Sequence, residues 1–113
     1  MSERGFRARV IRLILSGNAE EALELLAEHY DVSVPVLRVG LPKGRKKNVL
    51  GCYAVKDTTI HVLNSDVFCN PFVILHEFYH HLRTVDKKHR GTERYANKFA
   101  QDFVQTHKSV TRK

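Results

Sequence analysis

The chain predicts an α+β fold: two N-terminal helices, a small three-stranded sheet, an active-site helix and a C-terminal helix. Three observations carry that prediction. Apolar residues recur at helical spacing near the start, with Phe6, Val10, Leu13 and Ile14 followed by Ala22, Leu25 and Leu26. The middle, from Asp31 to Asn64, changes to β-forming residues punctuated by Gly and Pro. From Pro71 onward the helical period returns. At 113 residues, 42% of them hydrophobic, the chain is long enough for one modest core, so residues 1–113 are expected to form a single domain.

The elements follow in order. The first helix spans 4–16, with Arg4, Arg7, Arg9 and Arg12 among its apolar residues, and Ser16-Gly17 stops it. Asn18, with Glu21 three residues on, has the form of a capping box for a second helix reaching Tyr30, where His29 is a C-terminal cation. Val32, Val34, Val36, Leu37 and Val39 predict a strand, and Pro35 places its start or marks it as an edge. A basic loop, Leu41 to Asn48, precedes a second strand over Val49 to Val55. Lys56-Asp57-Thr58 turns the chain into a third strand, Thr59 to Asn64. Asn70 is an N-cap and Pro71 a first-turn residue for the third helix, expected to end near Thr84. Beyond a charged loop, Thr92 caps a final helix running to about Thr106, with Tyr95, Ala96, Phe99, Ala100, Phe103 and Val104 on one arc.

The third helix carries the chemistry. His76-Glu77-Phe78-Tyr79-His80 reads H-E-x-x-H. Residues four apart on a helix lie nearly above one another, so His76 and His80 point the same way and Glu77 flanks them. Two imidazoles one turn apart can grip one Zn²⁺, and the Glu can hold a water beside it. Phe72, Leu75, Phe78, Tyr79 and Leu82 take the opposite arc, which predicts one buried side and one metal side.

A catalytic zinc ordinarily takes three protein ligands. Asp86, His89 and Glu93 are the downstream candidates. Asp86 would complete a spacing whose sharp turn needs Gly where this chain has Arg83. His89 sits in a charged loop. Glu93 falls beside Ala96 and Ala100 on the inward arc, where a carboxylate is costly unless paired or ligated. It is the favoured third ligand. Asn97, one turn further on, is placed to accept a hydrogen bond from the outer nitrogen of His76. His81 is about 100° round from His80, which predicts a place at the rim or behind the ligands. Tyr53, His61 and Tyr95 are candidates to stabilise an oxyanion.

The segment Val73 to Leu82, followed by Glu93-Arg94-Tyr95-Ala96-Asn97-Lys98-Phe99-Ala100, resembles the ImmA/IrrE-type metallopeptidases, whose pattern is H-E-x-x-H followed by E-x-x-A-N-x-F-A. Size and element order are most similar to the minigluzincins, minimal zincin-like peptidases of a single domain. The resemblance covers roughly Val32 to Val104. It implies a zinc metalloendopeptidase holding one Zn²⁺ on His76, His80 and Glu93, with Glu77 as general base. It implies a substrate of extended or unfolded polypeptide that pairs with the rim strand of the sheet. It also implies a latent, zymogen-like form in which the tail, residues 107–113, lies across the cleft. His81, directly after the second ligand, is an addition to the pattern.

Lys and Arg outnumber Asp and Glu by 19 to 12, a net charge of +7. The basic residues are spread over the first helix, the loops at Lys43 to Lys47 and Lys87 to Arg90, and the end of the chain. Solvated faces are the favoured reading of that spread over a dedicated nucleic-acid surface. The alternative function is accordingly a metal-binding regulatory or nucleic-acid-binding protein with little or no peptidase activity. No apolar run is long enough to span a bilayer, and the N-terminus lacks a signal-peptide core, so a cytoplasmic protein is expected. Cys52 and Cys69 are too few for a disulfide framework and are expected to be buried thiols rather than ligands.

Overall fold

Helix α1 (Glu3–Leu15) and helix α2 (Ala19–Tyr30) form a hairpin that is followed by strands β1 (Val36–Val39), β2 (Gly51–Ala54) and β3 (Thr59–Val62), a 3₁₀ turn (Ser65–Cys69), helix α3 (Pro71–Asp86) and helix α4 (Glu93–Thr111). This computed structural model describes residues 2–42, 49–86 and 93–111, with the Asp86 side chain outside that set. The architecture is α+β, with four helices and one mixed three-stranded sheet.

Local chemistry explains most of the boundaries. Ser2 caps α1, its Oγ accepting from the Gly5 N–H at 3.0 Å. The capping box expected at Asn18 does not form. Asn18 makes no side-chain cap bond to α2, and its Nδ2 donates instead to Ser16 Oγ at 3.2 Å. Asp31 closes α2 in the left-handed region, and Val32 N–H still donates to Ala27 O at 2.9 Å. Val32 therefore belongs to the helix end, and β1 starts only at Val36, after Pro35. Asn70 does cap α3, accepting from the Val73 N–H at 3.3 Å.

The sheet order is β1-β3-β2, with β1 parallel and β2 antiparallel to β3. Val36 N–H bonds Thr58 O and Gly40 N–H bonds Val62 O, so the even-numbered residues of β3 turn their backbone groups to β1. Leu63 N–H bonds Leu50 O, and the register pairs Cys52 with His61 and Ala54 with Thr59. By that alternation the backbone groups of Gly51 and Tyr53 face away from β3, along the side of β2 that no strand covers among the described residues.

The core lies between α1, α2, α3 and the inner face of the sheet. Phe78, Ile14, Leu26, Ile60, Leu75 and Leu82 are fully buried there. Ala96 and Ala100, both fully buried, let α4 pack closely on α3, and Phe103 fills the space toward α1. His29 stands in the last turn of α2, as expected, and makes further contacts there. Its ring stacks on Phe6 at 4.0 Å, and its Nε2 is 3.5 Å from a Glu3 carboxylate oxygen.

Helix α4 is longer than its apolar arc. It continues through Thr111, because no Gly or Pro interrupts it. Arg4 also donates to Ser109 Oγ at 2.6 Å, which ties its last turns to α1. Residues 107–111 of the expected inhibitory tail are therefore helical and do not lie across a cleft, and 112–113 are outside the described residues. Thr111 is 18 residues from Glu93, about 27 Å along the axis.

Candidate metal centre

Helix α3 carries His76 and His80 one turn apart, and the first turn of α4 brings Glu93 against both. His76 Nε2 lies 2.7 Å from Glu93 Oε2. His80 Nε2 lies 3.1 Å from Glu93 Oε1, and the two Nε2 atoms are 3.3 Å apart. One ligand atom from each residue falls within 4.8 Å of the others, a grouping that could hold a metal ion. Ligands about 2.0–2.1 Å from a tetrahedral zinc would stand about 3.3 Å from one another; the 3.1 and 3.3 Å separations are close to that spacing, while the 2.7 Å contact of His76 with Glu93 is that of a hydrogen bond. Asp86 and His89, the other candidates for the third ligand, cannot be compared with Glu93, since the Asp86 side chain and His89 lie outside the described residues.

Glu93 meets the histidines from the mouth of the cleft rather than from its floor. Its side chain is 72% exposed, against 14% for His76 and 22% for His80. The alanines, not the carboxylate, occupy the closest approach of the two helices. Burial holds the His80 imidazole below its ordinary pKa, against the pull of the Glu93 carboxylate; His76 and Arg83 push it the same way as burial. A neutral imidazole is the form that ligates a metal.

Glu77 is buried, with a carboxylate oxygen 3.9 Å from His76 Nε2. Its neighbour across the cleft is Gly51. A Cβ placed on Gly51 would stand 2.9 Å from Val73 Cγ1, 3.1 Å from His61 O and 3.6 Å from Glu77 Cγ. Only glycine lets β2 settle this close to α3. The H-E-x-x-H motif gives Gly51 no role; the local signal for it is a lone Gly in a strand, which marks close backbone approach.

The cleft has a volume of about 580 Å³. Its walls are β2 with the residues beside it, including Leu50 and Val55, and the metal face of α3 with Phe72 and Arg83. Arg83, three residues after His80, extends that face, and its buried Nε makes no hydrogen bond. The spacing of H-E-x-x-H assigns Arg83 no part in the cleft.

The remaining candidates separate. Asn97 lines the cleft, yet His76 Nδ1 is buried without a hydrogen-bond partner, so the expected Asn97–His76 bond is not formed. Tyr53 lines the cleft, but its hydroxyl is 2.7 Å from His81 Nδ1 and points beneath the sheet. His61 lies in the sheet beside Arg38, with its Nδ1 3.1 Å from Gly40 O, and lines a different hollow with Lys56 and Asp57. Tyr95, 37% exposed, is not among the residues lining the cleft.

His81 is not at the rim. It is fully buried, and its Nε2 is 2.7 Å from Ser33 O. A carbonyl can only accept, so Nε2 carries the proton and Nδ1 accepts from the Tyr53 hydroxyl. Burial lowers the pKa of His81, offset in part by the Ser33 carbonyl bond, and the neutral form matches this pattern. Cys52 is buried as expected, whereas Cys69, at the end of the 3₁₀ turn, is exposed; neither is in a disulfide.

The chain matches no model of a known protein family, no curated protein and no solved structure. Among the described residues, no helix is long and apolar enough to cross a membrane. The basic loops at Lys43 to Lys47 and Lys87 to Arg90 lie outside the described residues.

Proposed function

We propose that this chain is a zinc-dependent endopeptidase of the gluzincin type, acting on extended or unfolded polypeptide. The carrying observation is the convergence of His76, His80 and Glu93 with Glu77 alongside, in a cleft walled by an open strand edge. The likeness of these motif residues to the minigluzincins supports the same reading. His76, His80 and Glu93 would hold the ion. When bound, zinc supplies Lewis acidity, polarising a carbonyl and lowering the pKa of water. The Glu77 carboxylate takes a proton from the attacking water and delivers it to the leaving amine nitrogen. The outward N–H and C=O groups of Gly51 and Tyr53 add a substrate strand to β2, and alternate substrate side chains drop toward Phe72 and Arg83.

Zinc-loaded protein and its Glu77→Gln and Glu93→Ala variants, incubated with an unfolded protein such as casein, test the proposal. Glu77→Gln is expected to keep zinc and to lose hydrolysis by about 10²–10⁴-fold. Glu93→Ala is expected to lose zinc. Equal hydrolysis by wild type and Glu77→Gln would sink the peptidase reading. Zinc retained by Glu93→Ala but lost by Asp86→Ala would replace the ligand set.

A further inference from the structure

The helix surface under β2 is a single stripe. Val73, Glu77 and His81 are spaced four apart, so they stack one turn above another on α3. Strand β2 runs along this stripe. Gly51 rests on the turn of Val73 and Glu77, and Tyr53 rests on the turn of His81. The Tyr53 and His81 rings also meet edge to face at 5.4 Å. The other ring nitrogen of His81 reaches Ser33, in the segment that enters β1 at the far side of the sheet. One buried imidazole thus ties α3 to both sides of the sheet through two bonds of 2.7 Å.

A fully buried histidine would be expensive if its nitrogens were unpaired, and both are paired. The chain could have filled the same volume with an apolar side chain, but that would give no directional hold on Tyr53. Tyr53, like Gly51, is a strand residue whose backbone groups face away from β3. His80, the preceding residue, turns toward Glu93. Consecutive residues of one helical turn therefore reach the candidate metal centre and, through the Tyr53 hydroxyl, strand β2.

We propose that His81 is a positioning residue: through the Tyr53 hydroxyl and the Ser33 carbonyl it sets the height of the β2 edge over Glu77 and the metal face, and so the path of a bound extended peptide. This inference rests on the peptidase reading for the identity of the ligand but not for its test. The test measures binding of a fluorescent extended peptide of about eight residues to zinc-loaded Glu77→Gln protein, and to the same protein carrying Tyr53→Phe, His81→Phe or His81→Gln. Hydrolysis by wild type is followed separately.

Tyr53→Phe and His81→Phe are expected to weaken binding about tenfold, because an edge that must be ordered on binding costs affinity. Zinc content should be unchanged. His81→Gln, which can both accept from Tyr53 and donate to Ser33, should recover most of the loss. A peptide of two or three residues that cannot span the β2 edge should bind all four proteins within about twofold. If His81→Phe does not fold, Tyr53→Phe decides, since it removes only one hydroxyl. Unchanged affinity for the long peptide, equal losses for long and short peptides, or no binding of the long peptide by the parent protein would overturn the inference. Absence of hydrolysis by wild type alongside the expected binding pattern would instead remove the peptidase reading and leave the positioning role standing.

Discussion

The two sides of α3 are held in opposite ways. On the side of His76 and His80, polar atoms crowd together: two imidazole nitrogens at 3.3 Å, a carboxylate against both, and a buried His76 Nδ1 with no partner. On the side of Phe78, Leu82 and His81, apolar carbon fills the space, and both nitrogens of the buried His81 are bonded. The first arrangement is poor for the stability of the chain by itself and well suited to a ligand. The second is where folding free energy resides. The difference teaches that adjacent residues of one helix can be read apart by asking whether each polar atom already has a partner.

The largest expected effect separates these sides directly. Phe78→Ala, at a fully buried position in contact with the Tyr30 and Phe99 rings, should cost about 3–5 kcal/mol in chemical denaturation. His80→Ala, measured on metal-free protein, should cost about 1 kcal/mol or less. Added zinc should raise the melting temperature of wild type and leave that of His80→Ala unchanged. A large loss for metal-free His80→Ala would mean that the metal side also holds the fold, and the contrast would collapse.

A smaller effect is expected where the two sides meet, at Gly51. Gly51→Ala would press a methyl group against Val73 Cγ1 and the His61 carbonyl, and backbone cannot give way as a flexible side chain can. A cost of about 1–3 kcal/mol is expected, with hydrolysis falling alongside because β2 is displaced from Glu77. Val73→Ala in the same molecule should restore part of the stability. A neutral Gly51→Ala would show that β2 has slack over α3.

The smallest effect sharpens the packed side. Tyr30, beside Phe78 and Phe99, has its phenol pushed up to about 12, chiefly by burial and then by Glu3, with Arg7 opposing. The folded phenol keeps its proton at pH values where the unfolded one has lost it. Its contribution is therefore whole below pH about 10 and falls as pH rises toward 12. Urea midpoints at pH 9 and pH 11.5 should diverge less in Tyr30→Phe than in wild type. Identical divergence would mean that Tyr30 is freely solvated.

Much of this molecule is legible in local pattern because helices repeat on a short period. The four helices, the pairing of His76 with His80 and the cap at Asn70 depend on neighbours within one turn. The three strands are also visible, although shorter than the apolar runs, because a run of β-formers does not say where pairing starts. Asn18 shows the limit of local signals: its residue spacing matches a capping box, but its side chain turned to Ser16. The extension of α4 to Thr111 depended on having no helix breaker and on the contact of Arg4 with Ser109, a partner 105 residues away.

What tertiary structure alone decided is which side chains meet across elements. Glu93, already the favoured third ligand by sequence, meets His76 and His80 at 2.7 and 3.1 Å because α4 packs on α3 over Ala96 and Ala100, and that approach is set by packing. Tyr53 was an oxyanion candidate by residue type, yet its hydroxyl belongs to His81. His81, expected at the rim or behind the ligands by its angle on the wheel, is buried because the sheet lies over that side of α3. A helical wheel gives direction about an axis; what waits in that direction is set by the rest of the chain.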